Sequence, residues 1–422
     1  MSQQQLQHTV FPASVLRLDN GLTLVHQEIA TTPVVVADVW VRAGATLEPK
    51  PWFGMAHFLE HMIFKGTATL APGMFDHNIE TRGGVSNAAT SYDYAHYTLT
   101  TAASYLADTL PHLGELLINA AIPDDEFIRE RDVVLEEIRS CNDDPDWIGF
   151  QALNQSIYQN HPYGRSVLGT ERELMQQSPA AMRCFHRAHY QPQNMTVVVV
   201  GGIAQESAWE LVNNSFADFA APLDFPQAEK IIEPVITGIH RQEICLPRLE
   251  QARLMMAWVV PGVEQLHTAY GLDLLAVLLS EGRTSRLVRD LREELQLVQG
   301  IYSNFSLQRE SSLFTITAWL EPENVDQVEN LILSHLNDLQ TTGITEQELA
   351  RTRRLVCNEF AFSTETPNQL TGLYGYYNTI AQAELAVAYP QQIQSFTTQE
   401  LQQLAQQFLS PLNYAVTILK SC

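Results

Sequence analysis

Basic residues are scarce in this chain. Its 422 residues include 25 Lys and Arg against 48 Asp and Glu, which gives a formal net charge of −23. Because binding to nucleic-acid phosphates requires a basic surface, we exclude nucleic acid as a partner. The acidic excess fits simple solubility, and it equally fits an acidic surface that attracts cationic peptides by long-range steering.

Cysteines and long apolar runs are also scarce. The cysteines are Cys141, Cys184, Cys245, Cys357 and Cys422. They are widely spaced and form no CxxC pair, so we expect the reduced thiols of a cytoplasmic protein and not a disulfide framework. No apolar run approaches the ~20 residues that span a bilayer. Residues 1–8 lack the basic and apolar regions of a signal peptide. These absences predict no membrane span, no targeting segment and a cytoplasmic location.

His57, Glu60 and His61 form the motif H-x-x-E-H, the inverse of the zinc-protease motif H-E-x-x-H. Residues 53–64 contain no proline and predict a buried helix. Positions i and i+4 share one helical face, so the two histidines are placed to hold one metal ion. Glu60 then lies beside the metal as a base for metal-bound water. The alternative is two core histidines and a surface glutamate, but all three residue types in this spacing favour a metal site.

A second acidic helix is predicted over residues 126–139. Glu130 and Glu137 are seven positions apart on one face of this helix. A catalytic zinc ion uses three protein ligands and keeps one position open, so this helix is a candidate source of the third ligand. Glu136 competes for that role, although it points about 100° away from Glu137. The remaining alternative is a charged, solvent-exposed helix face.

Together these motifs resemble the pitrilysin/insulinase family of zinc peptidases, the relatives of mitochondrial processing peptidase. In that family H-x-x-E-H is followed by Glu-x6-Glu, and the second Glu binds the zinc. Here Glu137 lies 76 positions after His61. The resemblance therefore implies one Zn²⁺ per chain, held by His57, His61 and Glu137. It also implies that Glu130 is a carboxylate that orients the site.

The resemblance extends over nearly the whole chain. Residues 83–90 resemble the family's strand that lies beside the zinc and holds extended substrate. This implies substrate-binding roles for Asn87, Ala88 and Ala89 in this sequence. Residues 161–170 match a loop in the middle of the family's first domain.

The sequence contains an internal repeat. Residues 122–137 and 344–359 share Ile, Glu, Arg, Arg, Val and Glu at a constant offset of 222. A period of this size predicts two homologous halves, with a zinc-bearing domain over 1–218, a proline-rich linker over 219–237 and a domain without a metal motif over 238–422.

The predicted fold class is α+β. Each half is expected to be a mainly antiparallel sheet with helices on one face. The resemblance implies a clamshell-type assembly of the halves. Predicted strands include 34–41, 97–101, 196–200, 252–260 and 313–319.

The second half departs from the family pattern. Gly282 and Arg283 occupy the repeat positions of the glutamate and second histidine, so we expect one zinc site per chain. The family's second half carries a substrate-binding Arg followed seven residues later by Tyr. Here Arg292 is followed at that distance by Gln299, and Tyr302 stands three positions further on. Glutamine is able to donate a hydrogen bond to an oxyanion, so Gln299 remains a candidate. Arg292, Gln299 and Tyr302 are therefore the candidate substrate residues of this half.

These features predict a zinc-dependent endopeptidase that cleaves short or unfolded peptides, with cationic peptides among the candidate substrates. Glu60 would act as the general base, and the peptide would pair with the strand at 83–90. In two-subunit members of the family, one chain carries the zinc site and its partner the Arg/Tyr pair, so the resemblance together with the missing Tyr implies the zinc-bearing chain of a heterodimer whose homologous partner lacks the metal motif. A homodimer or a self-sufficient chain is the alternative. Rival functions are a non-catalytic scaffold, against which Glu60 argues, and a zinc-dependent peptide-binding module.

Overall fold

The computed structural model describes residues 11–228, 236–247 and 249–422. These residues form eleven strands and fourteen α-helices, with several short 3-10 helices and one π-helical segment. The strands are β1 (Ser14–Arg17), β2 (Thr23–Glu28), β3 (Val34–Val41), β4 (Val85–Thr90), β5 (Ala95–Ala102), β6 (Met195–Gly201), β7 (Ile239–Cys245), β8 (Ala252–Pro261), β9 (Val298–Ser306), β10 (Ser311–Leu320) and β11 (Tyr414–Lys420).

The fourteen α-helices lie between these strands along the chain, several of them in consecutive runs. They are α1 (Met55–Ile63), α2 (Met74–Glu80), α3 (Leu106–Asn119), α4 (Asp124–Asn142), α5 (Pro145–Ile157), α6 (Glu171–Leu174), α7 (Pro179–His189), α8 (Gln205–Ser215), α9 (Leu266–Ser280), α10 (Val325–Thr341), α11 (Glu346–Phe362), α12 (Pro367–Ile380), α13 (Tyr389–Ser395) and α14 (Thr398–Phe408).

The first sheet has the strand order β1-β2-β6-β3-β5-β4. Only the β2–β6 pair is parallel, and the other four pairs are antiparallel. Every residue of β6 is buried, as expected for a central strand rich in valine. Strand β4 lies at one edge and packs against helix α1. The fold thus places the predicted substrate strand beside the H-x-x-E-H helix.

The second sheet has the order β7-β11-β8-β10-β9, with a single parallel pair between β7 and β11. Strands β8 and β10 pair over ten residues each. Their inward side chains, such as Trp258 and Phe314, form a core with the leucines of α9. Two mainly antiparallel sheets with packed helices confirm the predicted α+β class.

The described residues group into two compact units. Unit 1 comprises the described residues within Met1–Glu136, Val167–Glu229 and Phe362–Ala388, and unit 2 comprises those within Glu137–Ser166, Lys230–Ala361 and Tyr389–Cys422. Each unit thus includes a segment from the other half of the sequence. The domains 1–218 and 238–422 stay a prediction, and residues 229–235 of the predicted linker lie outside the described residues.

A glycine lies where the helix of each exchanged segment packs on its sheet. In unit 2, α5 packs on β8 and β11, and a Cβ at Gly149 would lie only 2.7 Å from the sulfur of Met255. In unit 1, α12 packs on β3 and β6, and a Cβ at Gly375 would lie 2.0 Å from Nε1 of Trp40. At 375 a larger residue would clash with the buried indole of Trp40, whereas at 149 the flexible side chain of Met255 would have to shift.

The cysteines differ in part from the expectation. Cys245 and Cys422 form a disulfide with Cα atoms 5.2 Å apart, whereas Cys141, Cys184 and Cys357 are free. The prediction of reduced thiols is therefore wrong for Cys245 and Cys422. Their separation of 177 residues hides the pairing in the sequence, because only the parallel pairing of β7 with β11 brings them together.

Within residues 11–228, 236–247 and 249–422, no helix has the length and apolar character needed to cross a bilayer. The predicted absence of a targeting segment concerns residues 1–8, which lie outside the described residues.

A half-buried carboxyl in unit 2 makes stability depend on pH. Burial raises the pKa of Asp273 on α9 to about 6, and the charge of Glu359 acts in the same direction, although the Tyr389 hydroxyl donates a hydrogen bond to Asp273. An unfolded Asp titrates near 4, so the native state binds more protons between about pH 4 and pH 6. The free energy of unfolding should therefore fall as the pH rises through this window.

Asp273→Asn is expected to raise the free energy of unfolding at pH 7.5 by roughly 1–3 kcal/mol and to change it little at pH 4. Asparagine still accepts the Tyr389 hydrogen bond but carries no charge. Urea denaturation at both pH values measures the difference, with Asp338→Asn on the exposed face of α10 as the control. Equal effects of Asp273→Asn at the two pH values would contradict the assignment.

Candidate metal centre

Helix α1 begins at a buried carboxylate. Glu48 is 2% exposed and accepts hydrogen bonds from the backbone N–H groups of Gly54 (2.9 Å) and Ala56 (2.8 Å). A negative charge at a helix N-terminus also interacts favourably with the helix dipole. Seven of the nine residues of α1 are buried, so the helix has little freedom to move. Glu48 thus fixes the helix from which the candidate ligands His57 and His61 project, a role that no sequence motif indicated.

His57 and His61 lie side by side on α1, as the i, i+4 spacing predicted. Their ring centroids are 4.9 Å apart. His57 is 7% exposed, whereas the side chain of His61 is 22% exposed. One ring is therefore held in the core while the other borders an accessible space.

Helix α4 places Glu130 against His61. The Glu130 carboxylate is 3.0 Å from Nδ1 of His61 and 2.5 Å from Nζ of Lys65. Burial acts to raise the pKa of Glu130, but the hydrogen bonds and charges of His61 and Lys65 hold it below its usual range. A carboxylate beside Nδ1 accepts a hydrogen bond from the Nδ1–H group and leaves Nε2 for a metal. Lys65, four residues after His61 and just past the end of α1, was not predicted from the sequence.

His57, His61 and Glu137 form a donor set. One ligand atom from each lies within 4.8 Å of the others, and the described residues contain no other such group of three. Glu137 continues α4 without a break, two turns after Glu130, so this helix determines where its carboxylate lies. Glu136 is exposed and lies about 100° further round the helix.

The chemistry of this donor set fits zinc. Two imidazoles and one carboxylate form a common three-ligand set of catalytic zinc, with bonds of about 2.0–2.2 Å and an open fourth position. Ligand atoms within 4.8 Å of one another need only small side-chain rotations to reach a shared ion at that distance. His57 and His61 from α1 and Glu137 from α4 would hold it.

Glu60 lies next to this donor set and receives a hydrogen bond from strand β4. The Thr90 hydroxyl donates to its carboxylate, with Oγ1 2.5 Å from Oε2. The hydroxyls of Tyr97 and Tyr190 pair nearby at 2.7 Å. Burial raises the pKa of both tyrosines, and the charge of Glu60 raises them further. These phenols stay protonated at neutral pH, so Glu60 is the candidate base on this side of the donor set.

The predicted substrate residues Asn87, Ala88 and Ala89 lie on β4. This strand pairs with β5 on one side, with Ala88 opposite Tyr97, and forms the edge of its sheet on the other. Asn87 and Ala89 are exposed, and Ala88 is partly buried. An exposed edge is able to accept an additional extended strand through backbone hydrogen bonds.

The other predicted substrate residues belong to unit 2. Arg292 lies in the π-helical segment Val288–Glu294, and its guanidinium donates to Glu293 at 2.6 Å. Gln299 accepts a hydrogen bond from Gln251. The ring of Tyr302 packs against that of Trp319 in the same sheet, with the ring centroids 5.2 Å apart. The structure therefore does not bring Arg292, Gln299 and Tyr302 into one hydrogen-bonded group, and their substrate roles stay predictions.

Two family models match the chain. Residues 23–171 match the model described as insulinase (peptidase family M16), and residues 178–356 match the model described as the peptidase M16 inactive domain. The first match contains all the residues of the candidate metal centre.

Curated relatives and solved structures agree with these matches. The uncharacterized zinc protease YmxG of Bacillus subtilis is 29% identical over 356 residues, which are 83% of this chain and 84% of the relative. Zinc protease PqqE of Helicobacter pylori is 27% identical over 412 residues, 96% of this chain and 91% of the relative. The crystal structure of a protease from H. pylori superposes with a TM-score of 0.90 at 26% identity, covering 97% of this chain and 99% of that one.

A more distant structure shares the fold. The peptidase M16 inactive domain from Pseudomonas fluorescens has a TM-score of 0.86 at 19% identity, covering 98% of this chain and 99% of that one. The predicted resemblance is confirmed: this chain belongs to the insulinase family, peptidase family M16.

Proposed function

We propose that this chain is a zinc-dependent endopeptidase that cleaves short or unfolded peptides. The observation that carries the proposal is the convergence of one ligand atom each from His57, His61 and Glu137 within 4.8 Å, beside the carboxylate of Glu60. The zinc protease names of its relatives support the same chemistry.

Each side chain has a defined task in this proposal. Zinc, when bound, would supply a Lewis acid that lowers the pKa of water and polarises a carbonyl. Glu60 would accept a proton from the attacking water at its carboxylate and then deliver it to the leaving amine. Glu130 would keep the His61 ring oriented through Nδ1, and the Lys65 ammonium would hold Glu130 in place.

The open edge of β4 supports an extended substrate. A peptide that pairs with the backbone of Asn87, Ala88 and Ala89 is recognised by its extended shape more than by its sequence. A folded protein cannot offer such a strand, so short or unfolded chains are the expected substrates. The net charge of −23 favours cationic peptides among them.

The second half suggests that catalysis requires a partner. Gln299 stands where the family has Tyr, and the Arg292 guanidinium is bonded to Glu293. We propose a heterodimer with a homologous chain that lacks the metal motif, and a homodimer is the alternative. A non-catalytic scaffold or peptide-binding module is less favoured. The description "inactive domain" applies to residues 178–356, which contain none of the metal-centre residues.

The predicted cytoplasmic location rests partly on five reduced thiols and partly on the absence of signal-peptide features in residues 1–8. The Cys245–Cys422 disulfide removes much of that support, because disulfides persist mainly in oxidising compartments. The location therefore stays a prediction.

Hydrolysis of a quenched, cationic, unstructured peptide by the zinc-loaded chain tests the proposed function. We expect turnover that a chelator abolishes and added zinc restores, and slower turnover of an acidic peptide of equal length. Turnover by the chain alone would show that no partner is needed. Peptide binding without turnover, at one bound zinc per chain, would favour the binding module unless a homologous partner restores cleavage.

A further inference from the structure

A hydrogen bond links strand β4 to the candidate general base. The Thr90 hydroxyl donates to Oε2 of Glu60, and the two oxygens are 2.5 Å apart. This distance lies at the short end of the range for an O–H donor bonded to a carboxylate. The two residues are thirty positions apart in sequence, so only the packing of α1 against β4 brings them together.

Glu60 is itself a potential zinc ligand. It directly precedes His61 and follows His57 by three positions, so its carboxylate projects from nearly the same part of the helix. The carboxylate oxygens of Glu60 are chemically able to bind zinc in the same way as those of Glu137. If Glu60 joined the two histidines and Glu137, four protein ligands would close the coordination shell, and a closed shell is typical of structural zinc. Catalysis therefore requires Glu60 to stay out of the shell.

The position of Thr90 allows it to keep the Glu60 carboxylate out of the coordination shell. Its backbone is held opposite Ala95 in the β4–β5 ladder, and its branched side chain has few rotamers. The hydroxyl is therefore a fixed donor, and a carboxylate oxygen that accepts from it is drawn toward β4. The Glu60 carboxylate cannot satisfy this bond and rotate toward the metal with the same oxygen.

We propose that Thr90 is a positioning residue that keeps Glu60 available as a base by holding its carboxylate out of the metal coordination shell. The proposal rests on the proposed function. It also links the base to β4, the strand whose free edge is the expected peptide site.

Thr90→Val tests the proposal, because valine matches the shape of threonine and replaces the hydroxyl with a methyl group. In this variant Glu60 is expected to coordinate the metal. We expect zinc affinity, measured by chelator competition, to rise about tenfold, the scale on which outer partners tune metal sites. With cobalt in place of zinc, the visible absorption spectrum should change as a fourth protein ligand enters. We expect kcat to fall about 100-fold, with KM nearly unchanged.

Thr90→Ser keeps the hydroxyl and should preserve the wild-type affinity, spectrum and kcat. Glu60→Gln combined with Thr90→Val should lose the gain in affinity, because that gain depends on the Glu60 carboxylate. Thr90→Ala provides a second hydroxyl-free variant if the valine variant folds poorly. Wild-type affinity and cobalt spectrum in both hydroxyl-free variants would overturn the proposal.

Zinc affinity and the cobalt absorption spectrum are both measured without catalysis. If the wild-type chain binds zinc but cleaves no peptide even with a homologous partner present, the proposed function fails, while affinity and spectrum still decide the role of Thr90. If the wild-type chain binds no zinc, both proposals fail together.

Discussion

Glu60→Gln is expected to abolish peptide turnover while zinc stays bound. Glutamine has nearly the shape of glutamate, but its amide cannot accept the proton of the attacking water. General acid–base catalysis contributes about 10²–10⁴-fold, so we expect kcat to fall by roughly 10³-fold. The Thr90 hydroxyl can still donate to the amide oxygen, so the packing of α1 on β4 should survive.

Steady-state hydrolysis, zinc stoichiometry and thermal unfolding, measured on the same preparation, separate loss of the base from loss of metal or fold. Glu80→Gln, at the exposed end of α2, is the matched control and should leave all three unchanged. Turnover by Glu60→Gln within about tenfold of wild type would show that another group takes the proton.

Glu137→Gln is expected to remove zinc from the chain. The carboxylate supplies the negative ligand of the donor set, and a neutral amide is a weak zinc ligand. Loss of an outer partner typically weakens binding by about 10–100-fold, so loss of a direct ligand should exceed about 100-fold. Turnover should fall with zinc occupancy and recover in part at high zinc concentration.

Glu136→Gln provides a matched control, because it makes the same chemical change one residue earlier on α4. Glu136 is exposed and points about 100° away, so this variant should keep wild-type zinc affinity, measured by chelator competition. If Glu136→Gln lost zinc and Glu137→Gln kept it, the assignment of the third ligand would be wrong.

The arrangement of residues within one helix was predictable from the sequence. His57, Glu60 and His61 lie on α1, and their relative placement follows from 3.6 residues per turn. The same periodicity separates Glu137 from Glu136 on α4. The strands predicted at 34–41 and 252–260 also match β3 and β8 closely, because long apolar runs bounded by turns define central strands.

The second half shows where prediction from spacing stops. Arg292 and Gln299 are seven positions apart, yet their side chains bond to Glu293 and Gln251 and not to each other. Seven residues measure two turns only within a regular α-helix. Here the interval runs through a π-helical segment into β9, so the spacing does not determine which side chains meet.

Sequence alone therefore determined the family, the α+β class and the helical faces that carry the candidate ligands, because these depend on local periodicity and short motifs. Tertiary structure alone decided which partners surround them. Glu48 at the start of α1, Glu130 with Lys65 behind His61, and Thr90 on Glu60 all depend on how separate segments pack. The exchange of α5 and α12 and the Cys245–Cys422 disulfide have the same origin. Contacts between distant segments depend on how whole elements pack together, which no single stretch of sequence encodes.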